Sequence, residues 1–191
     1  MKYVRFKNLT VSLITCIYAA MTFGQDANLK SSANDFRLNV KGEVERQLKL
    51  SLVDLSKLPR HSVQAKNHDG QESKYEGVGL GEVLQLAGVK FGKELHGKAV
   101  AAYLLVEAAD GYQAAFALTE LDSAFTDRVI LLADHCDNEP LPATTGPLQV
   151  IVPHEKRHAP WVRQVTTLTV HRAPQDSTTA KNEKEKMSNH H

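Results

Sequence analysis

Apolar and polar residues alternate along Phe36-Arg37-Leu38-Asn39-Val40, the period of a half-buried β-strand, and Gly42 follows as a turn residue. Leu48, Leu50 and Leu52 alternate in the same way. Ser51, or the Ser56 region, then opens a short helical turn through Leu55 and Leu58 that Pro59 stops. His61 to Lys66 predicts another strand. Leu80, Val83, Leu84 and Ala87 recur at helical spacing, with Gly88 as the C-cap. The glycine-rich stretch Gly77-Val78-Gly79-Leu80-Gly81 reads as a strained loop packed against the sheet. An anion held by its amides is the alternative, but the spacing is not that of a dinucleotide fingerprint.

Ala99 to Glu107 is a strong strand run. Ala109-Asp110-Gly111-Tyr112 carries the Asp-Gly hairpin signal, and Gln113 to Leu118 returns as the second strand. Thr119 to Phe125 predicts a short helix. Val129 to Ala133, Leu148 to Val152 and Val162 to Val170 predict further strands. Strands with short helical insertions and no regular β-α-β alternation argue for an α+β fold with a mixed, barrel-like sheet in a single domain. There is no internal repeat.

Both ends of the chain read differently. Lys2, Arg5 and Lys7 precede an uncharged apolar run, Leu9 to Phe23, shorter than the roughly 20 residues a membrane-spanning helix needs. Thr22 and Gly24 are small residues suited to a cut after Gly24, so residues 1–24 are expected to be a signal peptide and the mature protein periplasmic. An uncleaved N-terminal anchor is the alternative. Leu13-Ile14-Thr15-Cys16 is a weak lipoprotein box. From Pro174 to His191 the chain has no aromatic residue and almost no apolar one, too little to offset the entropy of ordering it, so 174–191 is expected to be a disordered polar tail. The folded domain is expected over 34–173.

Composition narrows the function. The 191 residues are 42% hydrophobic and 24% charged, ordinary for a globular domain. With 23 Lys+Arg against 22 Asp+Glu, the net charge of +1 offers no global case for nucleic-acid binding. Loss of residues 1–24 removes Cys16 and leaves Cys136, which rules out an internal disulfide in the mature chain. Asp134-His135-Cys136-Asp137 reads as a polar hairpin turn, with a metal site as the alternative.

The most informative segment runs from Gly146 to Val165. A strand ends at Pro153, a loop carries Lys156, Arg157 and His158, and Trp161, the only tryptophan, opens the last strand with Arg163 two residues on and on the same face. Guanidinium groups beside an indole suit a planar polar or anionic heterocycle. The competing reading is a solvated basic loop with Trp161 as a core anchor.

An ordered series of short motifs then becomes recognisable: Leu38-x-Val-x-Gly42, Leu52-x-x-Leu55-x-x-Leu58-Pro59, Tyr75-Glu76-Gly77-Val78-x-Leu80, Ala87-Gly88-Val89, Ala109-Asp110-Gly111-Tyr112, Leu131-Leu132-Ala133, Glu139-Pro140-Leu141, Gly146-Pro147-Leu148 and Val152-Pro153. Together, over about Phe36 to Arg172, they resemble the molybdopterin-binding domain of the sulfite oxidase superfamily. The closest likeness is to small, exported, stand-alone members. The resemblance implies that fold and a pterin or molybdopterin-like ligand.

Two departures bear on activity. Catalytic members carry a molybdenum-ligating cysteine about where Ala65 stands here, and alanine has no donor atom. They often carry an arginine near the oxyanion substrate two residues after the Gly-Pro proline, where this chain has Gln149. Cys136 lies on a different turn and is not an obvious substitute. The resemblance therefore implies a pterin-shaped site without molybdenum, with no catalytic residue or metal ligand. The ligand-binding residues expected are Trp161, Arg163, Arg157, Lys156, Tyr112, Asn67 and His68. The expected role is a pterin sensor acting on the periplasmic region of a membrane signalling protein. The alternatives are a molybdopterin-dependent oxidoreductase, or its accessory subunit, and a structural or assembly factor.

Overall fold

The alternation at Leu38 and Val40 is realised as β1 (Leu38–Gly42), with both residues buried, and β2 (Leu48–Leu50) folds back antiparallel to it. The computed structural model describes residues 35–67 and 69–173, and the folded unit starts at Arg37. The signal segment expected over 1–24, the tail expected over 174–191 and His68 lie outside the described residues.

Helix α1 (Leu52–Leu55) starts where Ser51 predicted. The Ser51 hydroxyl accepts the Asp54 amide at 3.1 Å and the Asp54 carboxylate accepts the Ser51 amide at 3.1 Å. This reciprocal capping box satisfies donors that a single helical turn cannot satisfy itself. Ser51→Ala is expected to lower unfolding stability by about 1 kcal/mol, read as a shift of the urea midpoint at unchanged slope.

β3 (Arg60–Lys66) and β4 (Glu72–Gly79) pair antiparallel, and α2 (Leu80–Leu86) follows with Leu80, Val83 and Leu84 buried. Gly77 and Gly79 thus belong to a strand, which corrects the loop expected over 77–81. The cause is a close approach of backbones. A Cβ on Gly77 would lie 2.1 Å from the Leu132 carbonyl oxygen of the neighbouring strand, so the sheet requires glycine there. A 3₁₀ turn over Gly97–Ala101 replaces the expected start of the next strand, which begins later, as β5 (Ala102–Ala108). The Asp-Gly hairpin forms as expected, with Gly111 at φ +85°, and leads into β6 (Gln113–Ala117). The helix expected over Thr119–Phe125 is instead a 3₁₀ turn, Leu118–Leu121, closed by Asp122, whose carboxylate accepts the Ala124 and Gly92 amides.

β7 (Leu131–Cys136), β8 (Glu139–Pro140), β9 (Gln149–Ile151) and β10 (Val165–Arg172) complete the fold. One sheet has the order β2-β1-β10-β5-β6, with β1 and β10 parallel and the other pairs antiparallel. The other has the order β3-β4-β7-β8, all antiparallel, and β9 also pairs with β7. The fold is therefore α+β with a mixed sheet, as expected, but built from two sheets that do not close into a barrel. Leu38, Val40, Leu104, Val106 and Leu168 from the first sheet and Val78, Leu131, Leu132 and Ile151 from the second are buried.

Trp161 does not open the last strand. β10 starts at Val165, and Trp161 and Arg163 sit in the loop between β9 and β10. Pro153 and Pro160 bring no backbone N–H to a ladder. Local bonds take over: the Trp161 amide donates to the His158 carbonyl and the Val162 amide to the Pro160 carbonyl. The strand-face alternation expected for Trp161 and Arg163 is thus replaced by loop geometry.

Candidate functional site

A pocket of about 290 Å³ is lined by the loop between β9 and β10 together with residues of β4 and β7 in the second sheet. That volume is at the lower end for small-molecule sites. Asn67 and Asp69 enter from the loop after β3, Tyr75 from β4 and Cys136 from the end of β7. Leu141, Pro142 and Thr145 enter from the segment after β8, Gln149 from β9, and Trp161 and Arg163 from the last loop. A larger, shallower depression of about 470 Å³ lies beside Phe91 and Asp122. Its buried Asp122 carboxylate already holds the Gly92 and Ala124 amides, so that group is in structural use.

Trp161 is 5% exposed. Its indole Nε1–H donates to the Val152 carbonyl at 3.1 Å. It meets Tyr75 edge-to-face at 5.6 Å and His158 at 4.4 Å. It is a core anchor and a pocket wall at once, which merges the two readings that the sequence left apart. Arg163 is exposed at the pocket and makes no hydrogen bond or ion pair with a described residue, so its five donors are available. Asn67 uses its carbonyl oxygen to hold the Asp69 and Gln71 amides at 2.9 and 3.0 Å, which leaves its NH₂ group for the pocket.

Gln149 is the residue that sequence reasoning undervalued. It is 5% exposed, yet its carboxamide has no hydrogen-bond partner among the described residues. No fully enclosed side-chain polar atom in the described residues lacks a partner, so this amide must border the open pocket. The signal was one polar residue inside the apolar run Leu148 to Val152. Tyr75, Asp69 and Thr145 were also missed, because they are distant in sequence and meet only through the fold.

Cys136 is the last residue of β7, directly across from Tyr75 on β4, and its side chain lines the pocket. The structure thus places it in the site, not on a separate turn. Burial, then the adjacent Asp137 carboxylate, pushes its thiol above the usual value, so it stays protonated at neutral pH. Burial, reinforced by Cys136, likewise pushes the Tyr75 hydroxyl up to about 12, which keeps it a neutral hydrogen-bonding group. Ala65 is 7% exposed and pairs with Ser73, on the same sheet face as Tyr75. It presents a methyl group and no donor.

The turn after β7 has Asp137 at φ 52° and Asn138 at φ 68°, the left-handed pair of a tight hairpin. Its acidic groups are engaged. Asp134 takes two bonds of 2.6 Å from Arg60 and one of 2.8 Å from His135 Nδ1, and Asp137 accepts the Lys74 amide. Asp134, His135 and Cys136 thus belong to β7 and only Asp137 lies in the turn, which corrects the hairpin turn expected over 134–137: ladder bonds to β4 and β8 extend the strand to Cys136. Burial raises the Asp134 carboxyl, but the bonds from Arg60 and His135 outweigh it and hold it below its ordinary value. A carboxyl depressed in the folded state adds stability above its unfolded value, near 3.8. That stability is lost as pH falls through the folded value. Asp134→Asn is expected to cost about 1 kcal/mol at pH 7, after allowance for solvent around Arg60, and less at pH 2. Melting curves of both proteins at the two pH values check this.

The remaining expected ligand residues lie elsewhere. Tyr112 is 49% exposed, does not line the pocket, and donates its hydroxyl to the Ala159 carbonyl at 2.8 Å. His158 Nε2–H donates to the Lys66 carbonyl at 2.7 Å, and Arg128 pairs with Glu155 at 2.9 Å. These three ties hold the loop over 153–160 in place. Lys156 and Arg157 project from it into solvent and do not line the pocket, since Pro153 turns the chain away from the sheet. Replacing both with Ala is expected to change stability by less than about 0.5 kcal/mol and to leave ligand affinity within about threefold. Thermal melts and binding titrations check it.

Comparison with known proteins agrees with this architecture. A family model described as the oxidoreductase molybdopterin binding domain matches residues 25–179. Among solved structures, the chain is similar to the sulfane dehydrogenase SoxCD from Paracoccus pantotrophus, with a TM-score of 0.58 and 22% identity. The match covers 73% of this chain and 39% of that chain, so this protein spans less than half the length of that relative. At that identity the likeness shows the fold. No curated protein matches the chain. The ordered motifs, the two sheets and the match over most of the sequence converge: this chain belongs to the oxidoreductase molybdopterin-binding domain family.

Proposed function

We propose that this protein is an exported binding module. It would hold a pterin or molybdopterin-type ligand in the pocket between Arg163, Gln149 and Tyr75, and signal its occupancy to the periplasmic region of a membrane protein. The observation that supports the binding reading is the pair of unsatisfied polar groups, the Gln149 amide and the Arg163 guanidinium, in one walled pocket. Both groups border the pocket with hydrogen-bonding atoms that no other side chain or backbone group takes up, so they are free to pair with a polar ligand.

The residues fit the pterin part of the family's cofactor better than its metal part. Arg163, Asn67 and Gln149 would hold a polar heterocycle, and Tyr75 and Trp161 would border it. Molybdenum, where the group carries it, supplies redox chemistry. Ala65 offers that metal no ligand. One observation favours the alternative of a molybdopterin-dependent oxidoreductase: the Cys136 sulfur lines the same pocket. Burial pushes its thiol up, so a metal bound there would have to displace the thiol proton.

Metal analysis and mass spectrometry of the full chain, made in a host that synthesises molybdopterin, separate the two. The expected result is a released pterin with molybdenum far below one per chain, and a gain of metal in Ala65→Cys. Stoichiometric molybdenum that disappears in Cys136→Ala, with turnover of an oxyanion or sulfoxide, would establish the oxidoreductase instead.

A further inference from the structure

Gln149 is held by β9, whose neighbours Leu148 and Val150 are buried and whose ladder runs to β7. Its side chain has little freedom to leave the pocket. A carboxamide offers an acceptor and donors side by side, and it carries no charge. It is saturated by a ligand edge that also presents a donor next to an acceptor. An oxyanion presents acceptors alone, which would use the amide NH₂ and face its oxygen with a like partial charge. Arg163, with donors only, suits the acceptor atoms of the same ligand. The Tyr75 and Trp161 rings, which meet at 84°, border the same pocket.

We propose that Gln149 sets the specificity of this site by reading the lactam edge of a fused pyrimidinone ring. Its NH₂ donates to the ring carbonyl and its oxygen accepts from the adjacent ring N–H. This rests on the pterin reading above and deepens it: the recognised feature is the –CO–NH– edge of the 2-amino-4-oxo ring, and the site is selective against simple oxyanions. Two-point pairing of a glutamine or asparagine amide with a heterocycle edge is the same geometry that such residues use on adenine.

The test is a two-by-two titration of the full-length wild type and Gln149→Leu with pterin and with 3-methylpterin, in which a methyl group replaces the ring N–H. The wild type is expected to bind pterin at least tenfold more tightly than 3-methylpterin, about 1.4 kcal/mol. Gln149→Leu is expected to weaken pterin at least tenfold and to bind both compounds within about threefold of each other. Its melting temperature without ligand should equal or exceed that of the wild type, because the amide at the pocket wall makes no hydrogen bond to a described residue that leucine would break; a structural hydrogen-bonding role for Gln149 would lower it. If Gln149→Leu keeps the wild-type preference for pterin, or if the wild type shows no preference, the lactam assignment is wrong while the pterin reading stands. If the wild type binds neither compound, both fall. Sulfate or nitrate that competes with pterin through Gln149 would also overturn the assignment.

Discussion

Trp161→Ala is expected to lower unfolding stability by about 3–5 kcal/mol and to abolish ligand binding even at temperatures where the variant stays folded. The indole is 5% exposed, so truncation leaves a cavity in the place where the β9–β10 loop meets the second sheet. Three contacts go with it: the hydrogen bond to the Val152 carbonyl, the edge contact with Tyr75 and the contact with His158. Loss of the His158 contact matters beyond packing. His158 also ties the loop to the Lys66 carbonyl, so the loop that carries Arg163 loses one of its anchors. Trp161→Phe separates the effects. It keeps a ring against Tyr75 but leaves the Val152 carbonyl unpaired, and is expected to cost about 1–3 kcal/mol with binding weakened and not lost. Denaturant melts followed by titration at low temperature check both variants. A Trp161→Ala protein as stable as the wild type would remove the indole from the core, and undiminished binding would move the ligand to another place.

Gly77→Ala is expected to cost about 3 kcal/mol, roughly 10 °C of melting temperature, although it adds one methyl group. The φ of Gly77 is not in the left-handed region, so the cost is steric and not conformational. The added Cβ would sit 2.1 Å from the Leu132 oxygen and 2.6 Å from the Ala133 Cα. Both are backbone atoms, which cannot rotate aside. β4 and β7 must separate at the register shift between Glu76 and Gly77, and that shift sets Tyr75 against Cys136 in the pocket wall. Gly111→Ala is the informative contrast. Nothing lies within 4 Å of its Cβ, but its φ is +85°, so it should lose about 1–2 kcal/mol through backbone strain and leave the pocket intact. If Gly77→Ala melts like the wild type, the close approach of β4 and β7 does not exist in solution.

The hydrophobic pattern determined most of the fold. Period-two alternation at Leu38 and Val40, helical spacing at Leu80, Val83 and Leu84, the Ser51 cap and the Asp110-Gly111 turn each name an element the structure contains, because these signals depend on neighbours within a few residues. The errors came where a partner far along the chain decided the outcome. Gly77 and Gly79 read as a loop because glycine disfavours strands, but the Leu132 backbone makes glycine obligatory at Gly77 and carries the strand through both. Trp161 read as a strand residue because the run Val162 to Val170 looks continuous, but two prolines and the ties from His158 and Tyr112 hold it in a loop.

The site divides in the same way. The residue types suited to a polar heterocycle, Trp161 and Arg163, were legible in the sequence, and the family resemblance was carried by motifs that are local. Which side chains meet was decided by tertiary structure. The fold brings Asn67, Tyr75, Cys136, Gln149, Trp161 and Arg163 to one pocket and turns Lys156, Arg157 and Tyr112 away from it. Sequence carries charge and shape for each residue, whereas availability depends on what each one already touches. Tyr112 is committed to the Ala159 carbonyl, while the Gln149 amide borders the pocket with no partner among the described residues, and only the folded arrangement distinguishes those two states.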